Sequence, residues 1–113
     1  MTTLDDYTAC LRQLHASAGR LSRRFQALDA WELVSQLSIS MPFLKDPPGP
    51  REVCESLYAA AVDLANVIGT ALTRPTEENR SDAVEESHRF IALLESIGAA
   101  LGVAPPEALA PGT

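Results

Sequence analysis

The chain has 113 residues, a formal net charge of −6 and hydrophobic side chains at 46% of its positions. This length predicts a single domain, and the apolar fraction is too high for a disordered chain. The acidic balance argues against nucleic-acid binding, which needs a basic face, and no stretch reaches the roughly 18 consecutive apolar residues of a membrane span.

The first predicted helix runs from about Leu4 to Leu28 and has the most regular apolar pattern in the chain. Thr3 can cap its first turn, where Asp5 and Asp6 suit the positive end of the helix dipole. Apolar residues recur in steps of three and four, which places them along one side of a helix. This apolar stripe consists of Leu4, Tyr7, Leu11, Leu14, Ala18, Leu21, Phe25 and Leu28.

The stripe fails at Asp29, because its continuation would place Glu32 in the core. Asp29 followed by Glu32 resembles a capping box, with Asp in place of the usual Ser or Thr. We therefore predict a kink near residue 29 and a short second helix over Ala30–Ile39. The alternative is one continuous helix over residues 4–39, which would be about 54 Å long at the rise of an α-helix.

Residues 40–50 contain four prolines and one glycine, which oppose a regular helix. We interpret this segment as a connector between the second and third helices. Met41, Phe43 and Leu44 form an apolar island inside it. They either cover the end of a helical bundle or contribute to a binding surface.

The third predicted helix opens at Pro50, a tolerated position for proline, and runs to about Thr73. Two adjacent apolar stripes along it indicate contact with two neighbouring helices. The fourth helix follows a cap at Thr76 and ends near Leu101, where Gly102 suits a left-handed terminal residue.

These elements predict an all-α fold, an up-down helical bundle over residues 1–102. It has three long helices and one short helix after the kink. Strands are not expected, because aromatic residues are only 5% of the chain and no segment alternates apolar and polar residues. Residues 103–113 are rich in proline and are predicted to form a flexible tail.

Two cysteines, Cys10 and Cys54, are too few for a disulfide scaffold. Each lies beside an apolar stripe, so we interpret both as buried free thiols in a reducing compartment, with a disulfide between them as the alternative. The acidic N-terminal residues lack the apolar segment of a signal peptide. We therefore expect a cytoplasmic protein. Eight arginines against one lysine suggest a bacterial origin.

Two pairs of residues in the fourth helix invite a chemical interpretation. Glu85 and His88 have the spacing of the metal-binding motif of ferritin-like bundles, which must point inward. With Ser87 at the core, helical geometry directs Glu85 to water and His88 to the flank, which argues against a metal site. Arg80 and His88 resemble the Arg and His pair of HEPN-type ribonucleases, although seven residues separate them here. The resemblance implies proton transfer by His88 and phosphate binding by Arg80.

No nucleophile arrangement and no glycine-rich phosphate loop is present in the sequence. We therefore expect no enzymatic activity, no cofactor and no small-molecule ligand. Four arginines make the first helix locally basic, and we interpret them as a solvated face that complements the acidic residues of the fourth helix. These arginines are Arg12, Arg20, Arg23 and Arg24.

The segment from residue 31 to residue 44 has the most apolar side chains without an assigned partner inside the bundle. Trp31 is the single tryptophan, a residue type enriched at interfaces. We predict a non-catalytic protein–protein interaction module, an adaptor or small subunit that binds another protein or a second copy of itself. The predicted interface consists of Trp31, Leu33, Val34, Leu37, Met41, Phe43 and Leu44.

A different class of function follows from the acidic residues between Glu77 and Glu86. They could mask a basic partner, as an antitoxin or an immunity protein does. Such binding would weaken as the salt concentration rises. This acidic regulator is the first alternative to the interaction module, and a HEPN-like ribonuclease or a metal-binding helical protein is the second.

Overall fold

A computed structural model describes residues 2–49 and 51–102 of the chain. These residues contain four helices and no strand, which confirms the predicted all-α bundle. The predicted tail over residues 103–113 and the predicted role of Pro50 lie outside the described residues. The helices are α1 (Leu4–Arg23), α2 (Ala27–Lys45), α3 (Arg51–Thr73) and α4 (Glu77–Ala100).

The four helices pack in a closed ring that follows their order in the chain. Each packs against the helices before and after it, and α4 closes the ring against α1. Within the described residues, no Cα atom of α1 comes within 8 Å of one in α3, nor of α2 in α4. Short connections make successive helices antiparallel, so the result is an up-down bundle.

The break between the first two helices lies earlier than predicted. Arg24 and Gln26 have extended backbone, with φ of −166° and −134°, and α2 begins at Ala27. The predicted kink near residue 29 is wrong, because Asp29 lies inside the first turn of α2. The carboxylate of Asp29 interacts favourably with the positive end of the helix dipole there, although the N-cap residue is Gln26. The continuous helix over residues 4–39 is also wrong, since the molecule is only 39 Å along its longest axis.

The second helix is longer than the predicted Ala30–Ile39 and passes through Pro42 to Lys45. A proline inside a helix removes the hydrogen bond to the carbonyl four residues earlier, here that of Ser38. Both residues are exposed, so water can solvate that carbonyl. Leu44 is buried at 1% exposure, and its burial favours continuing the helix.

The helix ends are capped largely as the sequence predicts. Thr3 Oγ1 accepts a hydrogen bond of 3.1 Å from the backbone N–H of Asp6, and Thr76 Oγ1 accepts one of 3.1 Å from that of Asn79. Gly102 has a φ of +76°, a left-handed conformation that glycine adopts at low cost after a helix.

The core is made mostly of aliphatic side chains from all four helices. Ser87, predicted to lie at the core side of α4, is fully buried and donates a hydrogen bond to the carbonyl of Ala83 at 2.9 Å. The ends of the first stripe leave the core, since Leu4 and Leu28 are exposed. The largest fully buried side chains are Tyr7, Leu11, Leu14, Leu21, Leu33, Leu37, Leu44, Leu57, Leu64, Ile68, Leu94 and Ile97.

Candidate interaction surface

Large apolar side chains are exposed along the side of α2 that faces away from the bundle. Leu28 is 82% exposed, Trp31 59% and Ile39 61%. Successive residues of an α-helix are about 100° apart, so these three lie in one narrow sector with other exposed residues of the helix. We call this sector the outer face of α2; it consists of Leu28, Trp31, Ser35, Ser38, Ile39 and Pro42.

The predicted interface is divided between the two sides of α2. Leu33, Leu37 and Leu44 are at most 1% exposed and belong to the core, so their assignment to a contact surface is wrong. Their spacing of four and seven residues places them together on the inner side of the helix. Only Trp31 of the predicted set is fully on the outer face. Val34, Met41 and Phe43 are half-buried at the flanks.

Two residues of the outer face, Leu28 and Ile39, were missed by the sequence analysis. Leu28 continues the three- and four-residue spacing of the α1 stripe across the break at residues 24–26, so the spacing assigns it to the first helix. Ile39 is the last residue of the short helix that the sequence predicts. Once α2 begins at Ala27, the helical spacing of Leu28, Trp31 and Ile39 is the signal that groups them.

The six residues of the outer face are uncharged, but the exposed Glu32 adjoins them beside Ile39 and is the charged residue nearest to the face. The nearest carboxylates on α2 are directed to Arg20 at the end of α1. Arg20 Nη2 lies 2.5 Å from Glu32 Oε1, and Arg20 Nε lies 4.0 Å from Asp29 Oδ1. Arg20 therefore pairs with acidic residues of α2. The sequence analysis had instead matched it with the acidic residues of α4. These pairs tie the two helices together along one border of the face.

The outer faces of the other helices are polar by comparison. On α4, the exposed residues include Asp82, Glu85 and Arg89. Arg89 pairs with Glu85 at 3.8 Å and also with Glu86. This is the usual arrangement for a solvated helix surface, on which ion pairs contribute about 0–1 kcal/mol each. The outer face of α2 differs from this arrangement, because large apolar side chains are exposed on it.

The residues considered for catalysis do not lie together at one site. Arg80 Nε donates to the carbonyl of Thr76 at 3.4 Å, one turn back along α4 and away from His88. Glu85 is exposed, as the helical geometry predicted, and His88, which was predicted at the flank of the helix, is exposed as well. The other histidine, His15, lies with Nε2 3.3 Å from Glu95 Oε1, between α1 and α4. The described part of the chain has no group of three His, Cys, Asp or Glu that could hold a metal ion.

Both cysteines are buried and free, as predicted. Cys10 is in α1 and Cys54 in α3, and their Cα atoms are more than 8 Å apart, which is too far for a disulfide without backbone movement. Burial raises the pKa of the Cys10 thiol more than the nearby Ser40 hydroxyl lowers it. A thiol with a raised pKa is a poor nucleophile. The arrangement therefore suits a structural role.

The Tyr7 side chain is buried in the same core as Cys10 and Cys54. It interacts with the thiol of Cys54 but has no hydrogen bond of regular geometry. Burial is the main reason that its pKa lies above the ordinary value, followed by the contact with Cys54. Ser40 Oγ is also buried without a regular hydrogen bond.

A shallow depression of about 230 Å³ lies where α2 connects to α3. The ammonium of Lys45 is 5.8 Å from the centre of the Tyr58 ring at its edge, within range of a cation–π contact. Further along α3, the segment Cys54–Thr73 is long and apolar enough to cross a membrane by length and composition alone. That helix packs against both α2 and α4 here.

Comparison of the chain with models of known protein families, with curated proteins and with solved structures finds no match. The argument for function therefore depends on the surface and on the chemistry of the described residues.

Proposed function

We propose that this chain is a non-catalytic protein–protein interaction module and that it binds its partner through the outer face of α2. The observation that carries the proposal is the exposure of Leu28, Trp31 and Ile39 on one side of a single helix. Contiguous exposed apolar residues on a small protein typically mark a contact surface.

The free energy available at this face is substantial. Fully burying one large aliphatic side chain is worth about 1.5–3 kcal/mol. Three such residues with more than half of their surface exposed could therefore contribute several kcal/mol to association. Tryptophan is the residue type most enriched among the energetic anchors of interfaces. Trp31 lies between Leu28 and Ser35 on the same side of the helix, so apolar and small side chains surround it on the face.

The monomer gains little from apolar residues at these positions. Leu28 contributes almost no buried surface to the core, and the same holds for most of Ile39. Polar helix formers there would leave the inner side of α2, with Leu33 and Leu37, unchanged. A contact outside the monomer gives a physical reason for the apolar residues. Recognition of one face of a helix is a common mode of protein association.

A photo-crosslinking amino acid that replaces one residue of the chain tests this proposal. The variant chain is expressed in the cells that naturally contain the protein. We expect insertion at Ser35, on the outer face, to give a discrete crosslinked product. Insertion at Ser96, an exposed position of α4, serves as the matched control. Trp31→Ala should reduce the product formed from position 35. Equal crosslinking from positions 35 and 96, or none from position 35, would refute the proposal.

The acidic regulator is the second candidate, and the exposure of Glu77, Glu78 and Asp82 at the start of α4 favours it. A crosslinker at Ser81, between these side chains, would then capture a basic protein. That product should disappear at high salt, because interactions between exposed charges are screened. A product from position 35 should persist or strengthen under the same conditions.

A further inference from the structure

The outer face of α2 has a symmetric spacing about its central residue. Leu28 and Trp31 lie seven and four residues before Ser35, and Ile39 and Pro42 lie four and seven residues after it. A two-fold axis at Ser35, perpendicular to the helix, therefore exchanges these positions in two antiparallel copies. The symmetric interfaces of dimers require such self-complementary patches, in which each contact occurs twice.

We infer that the partner of this face is a second copy of the same chain, packed antiparallel with the two Ser35 residues at the two-fold axis. This inference rests on the proposed function, since it names the occupant of the same surface. In this dimer Trp31 of each copy packs against Ile39 of the other. Leu28 of each copy lies opposite Pro42 of the other, and the small side chain of Ser35 permits close approach at the centre.

Charge also favours a second copy at this face over the other helix surfaces. Each chain carries a net charge of −6, so two copies repel one another unless the surfaces that meet are neutral. The six residues of the outer face are uncharged. The exposed Glu32, which this register places opposite Ser38 of the other copy, is paired with Arg20 of its own chain. The outer face of α4, by contrast, would bring Asp82 and Glu85 of the two copies together.

The size of the face sets the expected strength of the dimer. From Leu28 to Pro42 the helix advances about 21 Å, at about 1.5 Å per residue. Two helices that pack over this length make an interface at the small end of those that form specific complexes. We therefore expect a weak, reversible dimer that forms in the micromolar concentration range or above.

Sedimentation equilibrium of the full chain over a concentration range of about 1–500 µM tests the inference. The wild type should pass from monomer to dimer in this range. Ser35→Arg would place two guanidinium groups at the axis and should weaken the dimer at least about 10-fold. Ser96→Arg makes the same substitution on α4 and should leave the dissociation constant unchanged. Circular dichroism of both variants checks that they remain helical.

Single-cysteine variants test the antiparallel register. Ser35→Cys should form a disulfide-linked dimer rapidly under mild oxidation, because the axis places this position opposite its own copy. Leu28→Cys should not, since the two copies of residue 28 would be about 21 Å apart. The native Cys10 and Cys54 are buried and do not compete. Equal cross-linking of the two variants would indicate a parallel pair and would overturn the inference.

The outcomes separate this inference from the proposed function. A chain that stays monomeric at all concentrations overturns the dimer. If a crosslinker at position 35 still captures a different protein in that case, the interaction module stands and its partner is not a second copy. A monomer without any crosslinked product at position 35 refutes both.

Discussion

Trp31 and Leu37 lie six residues apart on the same helix, and replacing each by alanine should separate binding from stability. Leu37 is 1% exposed in the core, whereas Trp31 is 59% exposed on the outer face. The sequence analysis assigned both to one contact surface. The structure predicts that only Leu37 contributes strongly to folding.

The cost of Leu37→Ala follows from its burial. The substitution removes three buried carbon groups, worth about 0.8 kcal/mol each by transfer, and leaves a cavity that adds to this cost. We therefore expect a loss of about 3 kcal/mol in the free energy of unfolding, a large part of the 5–15 kcal/mol typical of a domain. Trp31→Ala loses a side chain that is less than half buried and should cost about 1 kcal/mol or less.

Urea unfolding followed by circular dichroism measures both effects. Protein concentrations well below the expected dimer dissociation constant keep association from contributing to stability. Leu37→Ala should lower the midpoint of unfolding strongly, with an unchanged dependence on urea. Trp31→Ala should unfold close to the wild type, but should associate more weakly at high concentration. A Trp31→Ala variant as unstable as Leu37→Ala would show that the tryptophan is a core residue and would remove the basis of the proposed surface.

Three further predictions concern the interior and the second helix. Tyr7→Phe should leave stability unchanged or raise it by up to about 1 kcal/mol in urea unfolding, because it removes a buried hydroxyl without a regular hydrogen bond. Above pH 9 to 10 the unfolded chain loses the protons of Cys10 and Tyr7 while the folded chain keeps them, since both pKa values are raised in the fold. Stability should therefore fall as the pH rises, with a slope of up to about 1.4 kcal/mol per pH unit from Tyr7 above pH 10, and Tyr7→Phe should remove that part of the slope. Pro42→Ala restores a backbone donor to the carbonyl of Ser38 and should raise the melting temperature, by an amount corresponding to about 1–3 kcal/mol.

The parts of the fold that could be predicted from sequence have one clear apolar side. In α1, Leu11, Leu14 and Leu21 repeat at helical spacing among polar residues, so the pattern fixes both the helix and its buried side. Thr3 and Thr76 could be identified as caps because the chemistry of capping is local. Interactions within a few residues decide these features.

The second helix could not be predicted in the same way, because it is apolar on both sides. Its core side includes Ser40, while its outer face includes Trp31 and Ile39, so periodicity alone does not indicate which side is buried. The break at residues 24–26 was also hidden, since Phe25 continues the spacing of the α1 stripe and still packs against the core. Packing against α1 and α3 selects the buried side of α2, and this selection is visible only in the folded chain.

The same packing explains why the outer face of α2 is suited to binding. Leu33, Leu37 and Leu44 anchor the inner side of the helix in the core, and Ala30 is buried at its beginning. The backbone that presents Trp31 is therefore held in place before any partner arrives. Association then costs mainly side-chain and rigid-body entropy, without the additional cost of ordering a segment of the chain. A small apolar face on a fixed helix can thus support a specific contact that the same residues on a mobile loop could not.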